Sequence, residues 1–573
     1  MSDCGKTSSP SSGNGGAPVV CTTGDCGPPH IIHMHLDADR DGSVDSDHKG
    51  LNKWEWGKSK KGAIILCNND DDDNSHNYDN ADKKINNGND KDEIAPLVFR
   101  AVGTTSAPSG LEGFIEITTG DAQRIRIFDG RLTGAKEIIG PTAGNTYKFP
   151  DLKFKEVEYG MEALEYAGDG FDGKIKITFI VKESGTEKYK EMAVVRVAPW
   201  IMPNHKDPAL KVFVVAAGSH NSRFRGELKT MVEAAGCTLD QSHSSNDIWM
   251  QDCMEVGYSN LPTTGLHVAI RAPIERDLKV FSKKLLAPDF GHHVVGGLEE
   301  ITYNSTGNLE VTPPCTSESG KKYPLGRIYY GPGIPLELMD AKFKAFLNKQ
   351  IVQEPFEVDT SWLNVGHVDE IISFVPSPGG KGFKLLLPSP KLAYKILRDN
   401  KAGHGSAKLL TGRSFPLGSA EVSIAAFLNS GIPGLGLTKA ALNSFNNNVQ
   451  TKLDLVRQLF KREIGVDPIT DIIDVPVIFW PNEHAPSLAD ALTADMVNML
   501  VINKHCIVPK PFGPIVAGKD LFEEDIKSKL VALGLTVKFL DDWSEYHVMN
   551  GEVHCGTNTL RAPTMAKWWE FEP

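Results

Sequence analysis

Hydrophobic periodicity changes once along this chain, at APWIMP from Ala198 to Pro203, and that change divides what the two parts can become. Before it, FIEIT from Phe114, RIRIF from Arg124, KIKITFIV from Lys174 and AVVRVAPW from Ala193 alternate apolar and polar residues between Gly, Pro and Asp turns. Successive strand side chains point to opposite faces, so a period of two buries one face and leaves the other in water. The pattern predicts an antiparallel sandwich over about residues 30–200. The prolines on either side of Trp200 mark its end.

Beyond that boundary the texture is mixed α/β. KVFVVAA from Lys211 reads as a strand, and SRFRGELKTMVEAAG from Ser222 places Phe224, Leu228, Met231 and Ala235 on one helical face. Further helices are predicted at about 335–353, 391–400, 450–465 and 523–534, with short apolar strands such as PVIFW and VNMLVIN between them. One internal echo stands out: EAAGCTLD ahead of WMQD, and VALGLTVKFLDD ahead of EVHC. Each copy has a helix end, a strand and then a polar residue at a strand end, which points to a repeat-built domain.

Charge narrows the function classes. The formal net charge is −12, and no polybasic stripe is present to neutralise phosphates, which argues against a nucleic-acid protein. Much of the negative excess lies between Asn68 and Glu93, where nine carboxylates stand against three lysines. Such a density repels itself unless cations fill it. Two readings stay open: a disordered acidic loop, or a cradle for several calcium ions built from Asp and Asn oxygens. Apolar GAIILC before the stretch and IAPLVF after it favour an ordered loop in a sheet. DADRDGSVD, from Asp37 to Asp45, also alternates carboxylates before a glycine, but lacks the glutamate of an EF-hand, so a calcium loop and a polar hairpin loop both remain open.

Residues 1–29 have neither the basic start nor the apolar run of a secretory signal and read as a flexible tail. No run of about eighteen apolar residues suggests a membrane span. Nine scattered cysteines without a CxxC pair suit a reducing, cytoplasmic setting.

Three stretches carry chemistry. NDIWMQDCMEVGY holds Asp252, SWLNVGHVDEIISFVP holds His367 and Asp369, and GEVHCGTNTLR holds Cys555 in what reads as an exposed turn. His367 and Asp369 are two apart, so on a strand they face the same side. Taken singly, each of these residues has an ordinary structural explanation. Together, a thiol, an imidazole and two carboxylates form a set for attack on a guanidinium. The carboxylates grip its planar fork, the thiolate adds to its carbon, and the imidazole gives the proton with which ammonia leaves. The imidazole then activates water against the S-linked intermediate, and a ureido product results.

WMQDCMEVGY, LAPDFG, GNLEVTPP, YPLGRI, WLNVGHVDE, KGFKLLLPSP, DIIDVP, MVNMLV, PKPFGP, GEVHCGTN and the closing KWW, in that order, closely resemble the calcium-dependent protein-arginine deiminases. KKGAIILCNNDDDDN and VAPWIMP extend the resemblance back to about residue 30. The resemblance implies a five-fold pseudosymmetric α/β-propeller of the pentein type over 201–573, preceded by an immunoglobulin-like β-sandwich over 30–200. The vertebrate enzymes have two such β domains, and this chain has room for one. It also implies hydrolytic deimination of arginine-containing proteins or peptides to citrulline through a Cys-linked thiouronium intermediate, with several calcium ions and with no need for nucleic acid or membrane.

The same resemblance assigns residues. Asp252 and Asp369 match the guanidinium-binding aspartates, His367 the general acid/base and Cys555 the nucleophile. Trp249 matches the wall against the substrate's aliphatic stem, and Arg276 an arginine that holds the peptide backbone. Gln251, Glu255 and Glu310, with the carbonyls of Thr306 and Leu309, match a buried calcium site at the cleft. Asn68, Asp70, Asp72, Asp79 and Asp289 match an interdomain calcium cluster, with Asp90 and Asp92 aligned beside them.

Departures from the family pattern matter as much. The second calcium site of the catalytic domain has acids where this chain has Cys253 and Arg271, so it is expected to be absent, and Glu275 alone does not rebuild it. Ile248, Ile274 and Met549 replace family arginines near the cleft. Two further readings therefore stay open: a deiminase of free arginine or a small guanidine, and a catalytically weak calcium-dependent binding module.

Overall fold

The structure, a computed structural model, describes residues 31–86, 89–103, 110–564 and 566–573, without the side chains of residues 89 and 90. The tail assigned to 1–29 lies outside the described residues, as does the side chain of Asp90.

The period-two segments form two five-stranded sheets. One orders Ile31–His35, Ala95–Val102, Glu156–Ala163, Ile125–Phe128 and Glu137–Ile139; the other orders Ala63–Ile65, Thr186–Val197, Lys174–Glu183, Leu111–Glu116 and Thr146–Lys148. All pairings are antiparallel except that of Ala63–Ile65 with Val195–Val197. Phe99 of the first sheet and Phe179 of the second meet at 4.9 Å between ring centroids, within a shared core. The acidic stretch begins where Ala63–Ile65 leaves the second sheet and Cys67 bridges to Ala163 of the first. It is an ordered loop over its described part, with Asn68, Asn69, Asp70, Asp71 and Asp72 buried.

APWIMP is a packed joint rather than a loose linker. Trp200 is fully buried, its amide donating to Gln350 Oε1 at 3.0 Å and its indole to the Val268 carbonyl at 3.0 Å. Ile201 bridges Tyr258 in the following part of the chain.

After this joint, one arrangement recurs five times: a central strand with an antiparallel neighbour on one side and a parallel neighbour on the other. The central strands are Ala209–Val214, Gly265–Arg271, Ile328–Tyr330, Phe383–Pro388 and His505–Pro509. Their antiparallel neighbours are Thr557–Arg561, Met254–Asn260, Leu309–Val311, Ser373–Pro376 and Leu500–Ile502. Their parallel neighbours are Thr238–Asp240, Phe290–Val294, Phe356–Glu357, Ile472–Val475 and Thr536–Leu540. Parallel pairing needs a crossover, and helices Ser222–Ala234, Ala341–Lys349, Pro390–His404 and Leu521–Ala532 lie within four of them. In the first sheet the antiparallel neighbour is the last strand of the chain, so residues near the two ends of this part share one sheet.

The sequence echo falls at equivalent places in two of these sheets. Gly236 and Gly534 each follow a helix with positive φ (79° and 82°), and Thr238 and Thr536 each begin the parallel strand. Glycine takes the left-handed conformation that ends such helices without steric cost. Helix Lys439–Ile464 begins eleven residues before the predicted start at 450, because ALNSFNNN reads as polar loop. Its apolar stripe is nonetheless continuous: Leu442, Val449, Leu453, Val456, Phe460 and Ile464 are buried, and Thr438 caps its start. Among the described residues no helix is long and apolar enough to cross a membrane.

The closing KWW ties the sandwich to the rest. Trp568 stacks on Trp54 at 5.9 Å between centroids and donates its indole N–H to the Asn260 carbonyl at 3.0 Å, and Arg40 lies over the Trp54 ring. Trp568→Ala is expected to lower stability by about 3–5 kcal/mol, the usual cost of truncating a buried aromatic. A urea unfolding curve shifted to lower midpoint checks it.

Candidate active site

Four segments bring the functional residues together. Trp249 precedes a 3₁₀ turn, Met250–Cys253, that carries Gln251 and Asp252 into strand Met254–Asn260. A second turn, Thr306–Asn308, leads into Leu309–Val311 and so supplies Thr306, Leu309 and Glu310. His367 caps a third turn, Val368–Glu370. Cys555 follows His554 in the turn before Thr557–Arg561.

Two expectations about local structure are corrected here. His367 and Asp369 are not on a strand: their segment is a 3₁₀ turn, in which the Glu370 carboxylate accepts from the His367 amide at 2.7 Å and fixes the bend. Cys555 is not exposed, at 4 % of its surface. Its turn is covered because Trp249 packs against Gly551 and Tyr546 against Gly556, where a Cβ would come within 2.3 and 2.5 Å of the rings.

All four catalytic-type residues converge. A Cβ placed on Gly307 would stand 2.8 Å from Asp252 Oδ1, 2.8 Å from His367 Nδ1 and 3.3 Å from Asp369 Oδ2, so glycine leaves the space that these groups face. The Cys555 thiol donates to Asp369 Oδ2 at 3.5 Å. His367 Nε2 donates to the Thr302 carbonyl at 3.0 Å, while the Thr302 hydroxyl is itself used on the Val365 carbonyl. Nδ1 is therefore the atom turned into the site, 3.6 Å from Asp252 Oδ1. Among the described residues, Asp252 Oδ1, Asp369 Oδ1 and His367 Nδ1 are buried with no hydrogen-bond partner. Buried polar atoms are rarely left so, and these three mark where a polar ligand belongs.

Electrostatics follow from burial. Burial pushes the Asp252 carboxyl up, against the pull of His367 and Arg276. The Cys555 thiol is pushed well above its ordinary range by burial, with the charges of Asp369 and Asp252 adding to the effect. Both effects favour the protonated form of the Cys555 thiol.

Arg276 takes an unexpected position. Its guanidinium donates to Asp247 Oδ2 at 2.9 Å and to Asp252 Oδ2 at 2.8 Å, rather than standing free for a peptide backbone. Trp249 is half-buried, against Gly551 and Tyr546.

Sequence reasoning missed several groups that hold this site. Asn498, a polar residue inside apolar MVNMLV, donates to the Asp369 carbonyl at 3.1 Å and to Cys555 Sγ at 3.2 Å, and accepts from the Cys555 amide at 3.2 Å. His554 Nδ1 meets Asp369 Oδ2 at 2.9 Å. Asp247 holds Arg276. The signal for Asn498 was there, as an amide in an otherwise buried strand end. A cavity bounded by Glu370, Asp490, Asp495, Asn498, Glu552 and Cys555 adjoins the nucleophile.

The groups assigned to metal are also gathered. Gln251 donates to Glu255 Oε2 at 3.1 Å and to the Thr306 carbonyl at 3.4 Å, and its own carbonyl accepts from Thr306 Oγ1 at 2.6 Å. Burial and the neighbouring Glu310 push the Glu255 carboxyl well up, and burial pushes Glu310 up to about 7. Two buried carboxylates that repel each other, beside carbonyl and amide oxygens, fit a hard divalent cation. In the acidic loop, donor oxygens of Asp70, Asp72 and Glu93 lie within 4.8 Å of one another, as do those of Asp71, Asp73 and Asp79. Turned one way, Asn68 donates to Asp70 Oδ1 (3.1 Å) and Glu93 Oε2 (2.7 Å); turned the other, its carbonyl oxygen joins them. This donor set fits calcium as well.

The alignment of the outer ligands needs revision. Asp92 is exposed and outside both groups, and Glu93, the next residue, is the buried acid that points inward. The 3₁₀ turn over 89–92 is what turns Glu93 in. Asp289 is exposed and meets Asp70 through its backbone amide, at 3.0 Å, not through its carboxylate. Asp37, Asp39 and Asp41 cluster, but Asp37 accepts from the Asp41 and Gly42 amides, both at 3.1 Å, which is how a polar loop satisfies its own turn. Cys253 donates to the Met250 carbonyl at 3.3 Å, Arg271 to the Gly297 carbonyl at 3.3 Å, and Glu275 pairs with Lys279. None of these belongs to a metal-type group among the described residues.

Comparison with known proteins gives this site its context. Residues 187–570 match the family model of protein-arginine deiminase (PAD), and residues 31–183 match that of the PAD middle domain. The chain is 36% identical over 571 residues to the protein-arginine deiminase type-3 of Mus musculus, covering 95% of this chain and 83% of that one. It is 34% identical over 568 residues to the type-4 protein of Homo sapiens, covering 95% and 83%. The chain belongs to the protein-arginine deiminase family.

Asn498→Ala is expected to leave the fold intact but cost about 1–3 kcal/mol, because it strands the buried Cys555 amide and Asp369 carbonyl. Unfolding in urea, followed by tryptophan fluorescence, checks the figure.

Proposed function

We propose that this chain hydrolyses arginine side chains of proteins to citrulline, releasing ammonia, and that Cys555, His367, Asp252 and Asp369 carry the reaction. The observation that carries this reading is the set of unpartnered buried atoms, Asp252 Oδ1, Asp369 Oδ1 and His367 Nδ1, beside the Cys555 thiol in a chain of this family. Two carboxylates with free oxygens are complementary to a planar cation with several N–H donors.

The sequence of steps follows from the geometry. A guanidinium between Asp252 and Asp369 neutralises the two charges that hold the Cys555 thiol protonated, and so favours the thiolate. Sγ adds to the guanidinium carbon and a C–S bond forms. The proton lost by the Cys555 thiol passes to His367 Nδ1, which gives it to one amino group as the C–N bond breaks, and ammonia leaves a thiouronium on Cys555. Nδ1 then takes a proton from water as its oxygen attacks the same carbon. The C–S bond breaks, Sγ leaves as thiolate, the proton of the new hydroxyl is lost to solvent, and the ureido group of citrulline remains.

Calcium fits two places. Gln251, Glu255, Glu310 and the carbonyls of Thr306 and Leu309 would hold one ion, and Asn68, Asp70, Asp72, Asp79 and Glu93 would hold others, with Asp289 nearby. Bound there, calcium supplies positive charge that lets buried carboxylates stay ionised and close together. The Gln251 amide also donates to the Cys555 carbonyl at 3.2 Å, so the turn carrying Gln251 and Asp252 is tied to the nucleophile's turn. The second catalytic-domain ion is absent on this reading, because Cys253 and Arg271 offer no oxygen pair.

The five like sheets support a pseudo-five-fold α/β-propeller over 201–573, and the two five-stranded sheets an immunoglobulin-like domain over 30–200. The six described cysteines are all free, which suits the cytoplasm.

One observation favours a second reading, a free arginine or small guanidine as substrate: Arg276 is engaged with Asp247 and Asp252 instead of being open to a peptide. A blocked arginyl peptide and free arginine, each assayed for citrulline with and without a calcium chelator, separate the readings. The expected result is calcium-dependent citrulline from the peptide, lost in Cys555→Ala, with free arginine turned over at least tenfold more slowly. No citrulline from the peptide with calcium present would sink the proposal.

The charge argument gives a second prediction with two opposite signs. Asp369→Asn removes the nearest negative charge, so alkylation of Cys555 by iodoacetamide at pH 7 is expected to rise by about tenfold per unit of lowered pKa. Citrulline formation by the same variant is expected to fall by about 100-fold or more, since one guanidinium carboxylate is gone.

A further inference from the structure

Glu310 faces two sets of donors. On one side are Gln251 and Glu255, oxygen donors that fit calcium. On the other are two histidines that the deimination reaction does not use: His205 Nε2 lies 3.7 Å from Glu310 Oε2, and His554 Nε2 lies 3.4 Å from Glu310 Oε1. The three donor atoms lie within 4.8 Å of one another, and the three residues are buried.

The other nitrogen of each ring fixes what these Nε2 atoms present. His205 Nδ1 faces the Phe374 carbonyl at 3.2 Å, and His554 Nδ1 faces Asp369 Oδ2 at 2.9 Å. Both partners only accept, so each Nδ1 carries a proton and donates it. Burial keeps His205 neutral, with its Nε2 lone pair toward Glu310, while Asp369 and Glu310 draw the proton affinity of His554 up, so a metal ion at His554 Nε2 takes the place of a proton between that ring and the same carboxylate. Acceptors gathered in this way repel unless a cation stands among them. A histidine whose second nitrogen donates to a backbone carbonyl or a carboxylate is the usual form of a metal-ligating imidazole.

The chemistry selects the kind of metal. Two imidazole nitrogens and one carboxylate suit zinc and its neighbours, whereas calcium takes oxygen. Ligands about 2.1 Å from a tetrahedral ion stand about 3.4 Å apart, close to the separations found here. We propose that His205, Glu310 and His554 form a site for a zinc-class divalent cation, and that its occupation inhibits the enzyme. Both Glu310 oxygens face the histidines, Oε2 at 3.7 Å from His205 and Oε1 at 3.4 Å from His554, so zinc there competes for this carboxylate with a cation held by Gln251 and Glu255. His554 holds Asp369 and precedes Cys555 in the chain, so its capture disturbs the guanidinium site as well.

The inhibition rests on the deiminase reading, but the binding does not, and the test keeps them apart. Metal-freed full-length protein is titrated with zinc chloride against a chromogenic zinc indicator, and zinc-edge X-ray absorption is recorded on the one-to-one complex. One ion per chain with only nitrogen and oxygen neighbours is expected. His205→Gln is expected to weaken binding by about 100-fold or more, beyond the usual effect of an outer-shell change, and Cys555→Ser to leave it unchanged. In the calcium-loaded enzyme, micromolar zinc is expected to block citrulline formation in the parent chain and to spare His205→Gln, whose circular dichroism is compared with the parent. Sulfur in the metal's first shell, zinc binding in His205→Gln as tight as in the parent chain, or no stoichiometric binding at all would overturn the site. Tight binding that leaves citrulline formation untouched would overturn the inhibition.

Discussion

The Asp369 carboxylate holds this structure's chemistry together: Oδ2 accepts from His554 and from the Cys555 thiol, and its backbone carbonyl accepts from Asn498. Burying such a charge is costly unless it is paired and hydrogen-bonded. The protein meets part of that cost with two donors to Oδ2, the His554 ring, whose proton affinity Asp369 raises, and the Cys555 thiol, and leaves Oδ1 open. Asp252 is treated alike, with Oδ2 on Arg276 and Oδ1 open. Half of each carboxylate is fixed by the fold and half is left for a cation to complete.

That arrangement sets the order of events at Cys555. A thiol beside two carboxylates is a poor nucleophile, and no cationic side chain is placed within hydrogen-bond reach of Sγ among the described residues. On the proposed reading, an incoming guanidinium is the group that would change the local sign of charge. Substrate binding and nucleophile activation would then be one electrostatic event, and a thiol kept protonated until that point is a poor target for alkylation and oxidation. The Arg276 guanidinium, on the outer oxygen of Asp252, reproduces part of that event inside the protein without reaching Asp369.

How much of this could be read in the sequence varies by residue. The sandwich and its limit at APWIMP were legible because period-two burial is a local signal. The echo between Thr238 and Thr536 was legible because two glycines end their helices at the same register. The spacing of His367 and Asp369 misled: a separation of two reads as one face of a strand, yet the bend held by Glu370 makes it a turn. Cys555 read as exposed because glycines flank it, whereas those glycines are there so that Trp249 and Tyr546 can lie against the backbone. Asp92 and Glu93 are neighbours of equal charge, and no local pattern tells which one turns inward. Asn498 and His205 act on residues more than fifty positions away, which only the fold brings near.

The metal-type clusters extend the same logic outward from Asp369. His554 joins Asp369 to Glu310, and Glu310 raises the proton affinity of Glu255, which accepts from the Gln251 amide. Gln251 leads directly to Asp252 and donates its backbone amide to the Cys555 carbonyl. A cation placed among these oxygens would therefore act on Asp252 and Asp369 through covalent neighbours and single hydrogen bonds, with no long relay required. Without one, burial pushes the Glu255 and Glu310 carboxyls toward their neutral forms, which hold neighbouring donors less tightly than a carboxylate does. On the proposed reading, control by metal would follow from carboxylates that the fold buries side by side, Glu255 and Glu310 at the cleft and Asp70, Asp72 and Glu93 in the acidic loop.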